Sequence, residues 1–225
     1  MNNRDDYFEL VKHYPKFFHN PPGAGFEILL DEESISQAEN SAARKLQNAG
    51  APAEWARVGV AFRDQYLLIL RDAVRYTNGS VGTYIRMAFP PVPGVVILPL
   101  WRGQVVLIRH FRHATRTWHL EIPRGFGTDA DARKSANREL EEEIGASGIR
   151  LTELGTMYPD TGASNSVVAL FQAEISSYGK PDEMEAITEI IPTPVSEFER
   201  MIGDCELDDG YLLAAYARAK ARNLL

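Results

Sequence analysis

The residues best able to do chemistry in this chain lie on a single short stretch, Arg138-Glu139-Leu140-Glu141-Glu142-Glu143-Ile144-Gly145. On a helix each residue advances about 100°, so Glu139, Glu142 and Glu143 fall within an arc of about 100°. Glu141 then points to nearly the opposite side, while Leu140 and Ile144 begin an apolar stripe. Three carboxylates on one turn repel each other by a few tenths of a kcal/mol per pair. A hard divalent cation converts that repulsion into attraction. Mg²⁺ in particular is held by one or two protein carboxylates, with waters and substrate phosphate oxygens filling the other positions. A solvated glutamate face has the same composition, but the flanking residues separate the two readings. From average residue frequencies, Arg-Glu-aliphatic-x-Glu-Glu-x-Gly arises by chance in a chain this long with a probability on the order of 10⁻⁴. The stretch also follows an apolar strand and the loop Pro123-Arg124-Gly125-Phe126-Gly127. No Lys-Ser/Thr follows that loop, so it is not a Walker phosphate loop, and its glycine spacing is not a dinucleotide fingerprint.

The elements that must position this turn follow from periodicity. A helix is expected from about Asp131 to Ile144, with Gly145 at its C′ position. Before it, Gly94–Leu100 and Gln104–Phe111 read as apolar strands around Arg102-Gly103, and Trp118–Ile122 as a further strand. After it come strands near 150–158, 166–175 and 186–191, then helices near 195–202 and 208–222, with Asp208 a candidate N-cap. Upstream, Gln65–Tyr76 and Val81–Phe89 flank the turn Asn78-Gly79 and predict a hairpin within 58–90. Residues 1–57 contain a Pro/Gly stretch and an amphipathic helix from about Glu32 to Asn48. Asp31 is its expected N-cap and Ile35, Ala38, Ala42 and Leu46 form its stripe. Strands interleaved with separated helices predict an α/β fold in which a mixed sheet carries helices on both faces.

The bulk properties exclude several function classes. The 225 residues are 44% apolar and carry a net charge of −7, with a pI near 5.3. Broad binding to nucleic acid or to an anionic membrane requires a basic footprint that this chain lacks. A single cysteine, Cys205, excludes a disulfide framework and a thiolate zinc site. No signal-peptide or membrane-spanning run is present, so a cytoplasmic setting is expected. His110, His113 and His119 straddle a strand, a loop and another strand without a fourth ligand, which reads as structural or surface histidine rather than zinc.

The carboxylate helix resembles the Nudix box, Gly-x5-Glu-x7-Arg-Glu-aliphatic-x-Glu-Glu-x-Gly-aliphatic. Its carboxyl half matches through Gly145, with Ala146 a weak closing aliphatic. The amino half departs from it: the sixth residue after Gly125 is Asp131, and only six residues then precede Arg138. The resemblance implies a Nudix-type α/β/α sandwich preceded by an N-terminal hairpin and a helical extension. The expected domains are an extension at 1–57 and a Nudix domain at 58–225 that includes a dimerisation hairpin at 58–90. It implies metal binding by Glu139, Glu142 and Glu143, with the carbonyl of Arg124 completing the site, and Mg²⁺ (Mn²⁺ as the alternative) as cofactor. Glu143 and Glu142, with Glu183 or Glu185 in the acidic loop Asp182–Ile187, are the implied catalytic carboxylates.

Over roughly 58–222 the chain is most similar to the ADP-ribose and nucleoside-diphosphate-sugar pyrophosphatases of that family. Gly94-Val-Val-Ile-Leu-Pro-Leu, Gln104-Val-Val-Leu-Ile-Arg-His-Phe-Arg112 and His119-Leu-Glu-Ile-Pro-Arg-Gly125 carry this similarity. By it, Arg112 and Arg86 contact substrate phosphate; separately, as an aromatic side chain, Trp118 is a candidate for stacking on the base, core or rim packing being the commoner role. Tyr158-Pro159-Asp160-Thr161-Gly162-Ala163-Ser164 sits where that branch carries a Pro-Gly loop, with Thr161 in place of its proline. The implied reaction is divalent-metal-dependent hydrolysis of a nucleoside diphosphate linked to a second group, by a homodimer whose sites use both chains. Two alternatives stay open: a dinucleotide or nucleoside-triphosphate pyrophosphohydrolase, and a catalytically silent nucleotide-sensing module. Residues 1–57 are consistent with a pocket cap, an extended dimer interface or a partner-binding segment.

Overall fold

The computed structural model describes residues 3–89, 92–127, 129–181 and 183–225, apart from the side chains of Asn3 and Glu183. The chain divides into two compact units, residues 1–89 with 160–165, and residues 90–159 with 166–225.

The first unit is built on one four-stranded antiparallel sheet. Strand β3 (Leu68–Tyr76) pairs along one edge with β4 (Val81–Ala88) across the Asn78-Gly79 turn. Its other edge is shared by β1 (Phe26–Leu29) and β2 (Gly59–Arg63), which cover successive halves of it. The expected hairpin therefore lies in one sheet and one core with the residues before it. That core includes Tyr7, Leu10, Phe18, Ile35, Ala38, Leu70 and Ala73. Helix α2 (Glu32–Asn48) begins where expected, the Asp31 carboxylate accepting the Ser34 N–H at 2.9 Å. Helix α1 (Asn3–His13) and strands β1 and β2 are additions to the sequence reading. Within α1, Tyr7 is fully buried and its hydroxyl donates to Asp72 at 2.6 Å. The segment 160–165 joins this unit through the β4 backbone. The Met87 N–H donates to the Ala163 carbonyl at 2.8 Å, and the Phe89 N–H to Asn165 Oδ1 at 2.7 Å.

The second unit is a mixed sheet with helices on both faces. Strands β5 (Gly94–Trp101) and β6 (Gln104–Arg112) pair only at Leu100–Val105 and Trp101–Gln104. Beyond that they part. Strand β7 (Thr117–Glu121) pairs with β6, and the two-residue β8 (Arg124–Gly125) with β5. The full order is β11 (Ile187–Pro194), β6, β5, β10 (Val168–Glu174) and β9 (Arg150–Met157), with β10 parallel to β5. One face packs against helix α3 (Ala132–Ile144) through Val95, Ile97, Val106, Ile108, Ala136, Leu140 and Ile144. The other packs through Val96, Leu98, Val105, Leu107 and Ile122 against α4 (Val195–Gly203) and α5 (Gly210–Ala221). Truncating one of these buried leucines or isoleucines to Ala costs about 2–5 kcal/mol. The N-cap of α5 is Asp209, which accepts the Leu212 N–H at 2.8 Å, and not its neighbour Asp208. Among the described residues no helix is long and apolar enough to cross a membrane.

Candidate functional site

Helix α3 carries the site, and its placement follows from its own sequence. Asp131 caps its first turn, accepting the Arg133 N–H at 3.0 Å. Its carboxylate is thus spent on the helix start, and Arg138 turns elsewhere, donating to Glu139 at 2.6 Å and to the Phe126 carbonyl at 3.5 Å. The helix stops at Gly145, which adopts φ +59°, and a Cβ there would sit 3.2 Å from the Gly179 Cα. With Leu140 and Ile144 fixed in the core, the i,i+4 pair Glu139 and Glu143 is drawn against the sheet, and both are buried. Glu142, at the edge of the same arc, is half-exposed and 4.0 Å from Arg138. Glu141 faces solvent, as its angle requires.

Two features mark Glu139 and Glu143 as a place for a cation. Glu143 is 1% exposed. One of its oxygens accepts the Arg124 N–H at 3.2 Å, while Oε1 is buried with no hydrogen-bond partner. Burial, reinforced by the charge of Glu185, pushes its carboxyl up to about 8. Burial likewise raises Glu139, against the opposing charge of Arg138. Glu139 lies flat against Gly125, where any Cβ would land on its carboxylate. Glycine is therefore required there for close approach rather than for a special backbone angle. An orphaned buried carboxylate oxygen, all-oxygen donors and a repelling pair of anions suit a hard cation such as Mg²⁺ or Mn²⁺. Among the described residues no three Asp, Glu, His or Cys side chains already converge into a metal cluster.

The acidic loop bears on this pair through its charge. A short 3-10 turn at Glu183–Glu185 precedes β11, and the charge of Glu185 is felt by both Glu139 and Glu143. The side chain of Glu183 lies outside the described ones. Arg112, at the end of β6, also acts on Glu143 through its positive charge. Arg112 is held by Glu121, a residue missed in the sequence reading and 2% exposed. Its Nε and Nη2 donate to Glu121 Oε2 at 2.8 and 2.5 Å.

The remaining expected contacts have the following partners. Arg86 belongs to the first unit, where its Nε donates to Asp72 at 2.5 Å, its Nη2 to the Phe17 carbonyl at 3.0 Å, and its guanidinium lies over Phe18. Trp118 pairs with Phe111 in the β6–β7 ladder while Arg112 pairs with Thr117. Alternation along β6 therefore puts Trp118 on the opposite face from Arg112. It is 43% exposed, edge-on to Phe111 and covered by Arg109. The loop Asp160–Ser164 packs on the hairpin of the first unit, with the Tyr84 hydroxyl donating to the Gly162 carbonyl at 2.7 Å. The three histidines do not converge on one partner. His110 is buried, His113 contacts Arg116, and His119 contacts Thr115.

A mixed sheet forked between β5 and β6, with a carboxylate-bearing helix packed on one face and two helices on the other, is an α/β/α architecture. The NUDIX domain profile matches residues 90–203, and the chain belongs to that family. It is similar to the ADP-ribose pyrophosphatase of Bacillus subtilis (strain 168), at 32% identity over 73 residues. That match covers 32% of this chain and 40% of the relative, so the chain spans two fifths of the curated relative's length. Its fold is similar to the crystal structure of an ADP compounds hydrolase, with TM-score 0.63 and 22% identity over 73% of this chain and 90% of that one.

Proposed function

We propose that this chain hydrolyses the diphosphate bond of a nucleoside diphosphate joined to a second group, of the ADP-ribose or sugar-nucleotide kind. The products are a nucleoside monophosphate and a phosphorylated second group. The observation that carries this reading is the buried, partnerless Oε1 of Glu143 beside the Glu139 carboxylate. The names of the two similar proteins, an ADP-ribose pyrophosphatase and an ADP compounds hydrolase, support the substrate class.

Glu139 and Glu143 hold the divalent ion, with Glu142 at the rim and the Arg124 carbonyl as the main-chain donor. When bound, such an ion neutralises diphosphate charge and acidifies the attacking water. Arg112 presents its remaining donor, Nη1, to a phosphate oxygen of the substrate. Glu185 is the general base: it lies on a loop and faces the buried carboxylates electrostatically, and it takes the proton of the water that attacks phosphorus as the bridging P–O bond breaks. Among the expected substrate contacts, Arg112 is favoured because its positive charge acts on the buried Glu143. The exposed, lone Cys205 is consistent with a cytoplasmic protein.

We also infer a homodimer formed through the first unit, supported by half-exposed Phe62 and Ile85 on its sheet. A monomeric mass by light scattering at micromolar concentration would exclude it. The test of the activity is a panel of ADP-ribose, sugar nucleotides, dinucleoside polyphosphates and nucleoside triphosphates, incubated with Mg²⁺ or Mn²⁺ and resolved by chromatography. Nucleoside monophosphate release from the diphosphate-linked compounds is expected. Inertness toward the whole panel would overturn the reading.

A further inference from the structure

Glu121 has a more specific place in the second unit than core packing requires. Both of its oxygens are used, by two different arginines. Oε2 accepts from Arg112 Nε and Nη2, and Oε1 from Arg124 Nη2 at 3.1 Å. Arg124 in turn donates through Nη1 to Asp209 at 2.8 Å, the residue that caps α5, and its guanidinium lies 4.8 Å from the centre of the Tyr211 ring. The result is a charge-balanced row, Asp209–Arg124–Glu121–Arg112, that ties β6, β7 and β8 to the first turn of α5. Arg124 has a second duty, since its main-chain N–H donates to Glu143. With Nε and Nη2 of Arg112 engaged, Nη1 is the end of the guanidinium with no protein acceptor among the described residues. A flexible arginine would sample many rotamers over the site. This one is held at its inner edge by a carboxylate that is itself fixed from the other side.

We infer that Glu121 is a positioning residue for substrate binding: it pre-sets the Arg112 guanidinium so that Nη1 meets the substrate diphosphate beside Glu143. This rests on the proposed hydrolase reading and on Arg112 as its phosphate contact. Glu121 touches neither water nor phosphate in this scheme. It acts through Arg112, and Arg124 with Asp209 keeps it in register.

The test is a binding cycle measured without metal. Wild type, Glu121→Gln, Arg112→Gln and the double variant are titrated separately with ADP-ribose and UDP-glucose by calorimetry in EDTA, after circular dichroism confirms folding. Glu121→Gln is expected to weaken binding by about 10- to 100-fold, the range of one charge-assisted contact. In the Arg112→Gln background the same change should cost less than about 2-fold, because its route is already gone. Equal losses in both backgrounds, or wild-type affinity in Glu121→Gln, would overturn the proposal. Should Glu121→Gln not fold, Glu121→Asp keeps the charge but withdraws it by one methylene. A loss that disappears in the Arg112→Gln background then supports the role, and unchanged binding refutes it. A wild-type chain that hydrolyses diphosphates while Glu121→Gln binds normally sinks this inference alone. A wild-type chain that neither binds nor hydrolyses any of them sinks the functional reading, and this inference with it.

Discussion

His110 should make the second unit acid-labile by an amount that can be worked out. Its ring is 6% exposed, and its Nδ1 has no hydrogen-bond partner. Burial, helped by the positive charge of Arg112 on its own strand and of Arg124 on β8, and by His119 across the ladder, drives its pKa down from 6.5 to about 4. The unfolded chain takes up a proton near pH 6.5, whereas the folded chain does so only near 4. Stability is therefore fully present above the unfolded value and is lost as pH falls through the window from about 6.5 to about 4. At about 1.4 kcal/mol per pH unit within that window, moving from pH 7 to pH 5 removes about 2 kcal/mol through this side chain alone. The measurement is urea unfolding at the two pH values, comparing the parent with His110→Gln. Both carry Trp55→Phe, so that fluorescence reports Trp101 and Trp118 of the second unit. Other titrating groups are common to both proteins and cancel in the difference. The parent should lose about 2 kcal/mol more than His110→Gln. Equal pH sensitivity, within about 0.5 kcal/mol, would refute the argument that burial, helped by two arginine charges, keeps this imidazole neutral.

Two further outcomes follow from the carboxylate pair. Gly125→Ala places a methyl group on the Glu139 carboxylate. It should lower metal-dependent turnover by about 10- to 100-fold, the range for disturbed metal-site support, while leaving circular dichroism unchanged; wild-type kinetics would show that Glu139 is free to move aside. Glu143→Gln replaces a buried carboxyl, one oxygen of which has no partner, by a neutral amide of the same shape. In EDTA its thermal midpoint should be no lower than that of wild type, and the stabilisation that Mg²⁺ or Mn²⁺ gives wild type should vanish, which scanning calorimetry would check.

Much of the second unit was legible because its signals are local. The Arg-Glu-Leu-Glu-Glu-Glu run fixes its own geometry, since Leu140 and Ile144 must enter the core and thereby carry Glu139 and Glu143 to the sheet. Asn78-Gly79 announced the hairpin, and Asp31 announced α2. Other features depend on residues far apart in sequence. Tyr7 reaches Asp72 across 65 positions, and Arg124 reaches Asp209 across 85. No periodicity could pair them. Helix α1 escaped because its apolar residues, Tyr7, Phe8, Leu10 and Val11, crowd into little more than one turn and lack a cap signal. Strand β8 is two residues long, too short to carry a pattern. At α5, the sequence points to Asp208 as the cap, and only the fold shows that its neighbour Asp209 takes that place. Glu142 shared the arc of the buried pair, but an arc does not say which of its members the sheet will cover.

The attachment of 160–165 to the strand ending at Ala88 bears on how this polypeptide is completed during synthesis. The β4 edge finds its partners, Ala163 and Asn165, only after some seventy intervening residues have been made. The amino-terminal unit thus cannot finish hydrogen-bonding that edge until the ribosome has passed well into the second unit. For the same reason, a chain severed after Phe89 yields two incomplete fragments rather than two independent modules, each missing groups the other supplies.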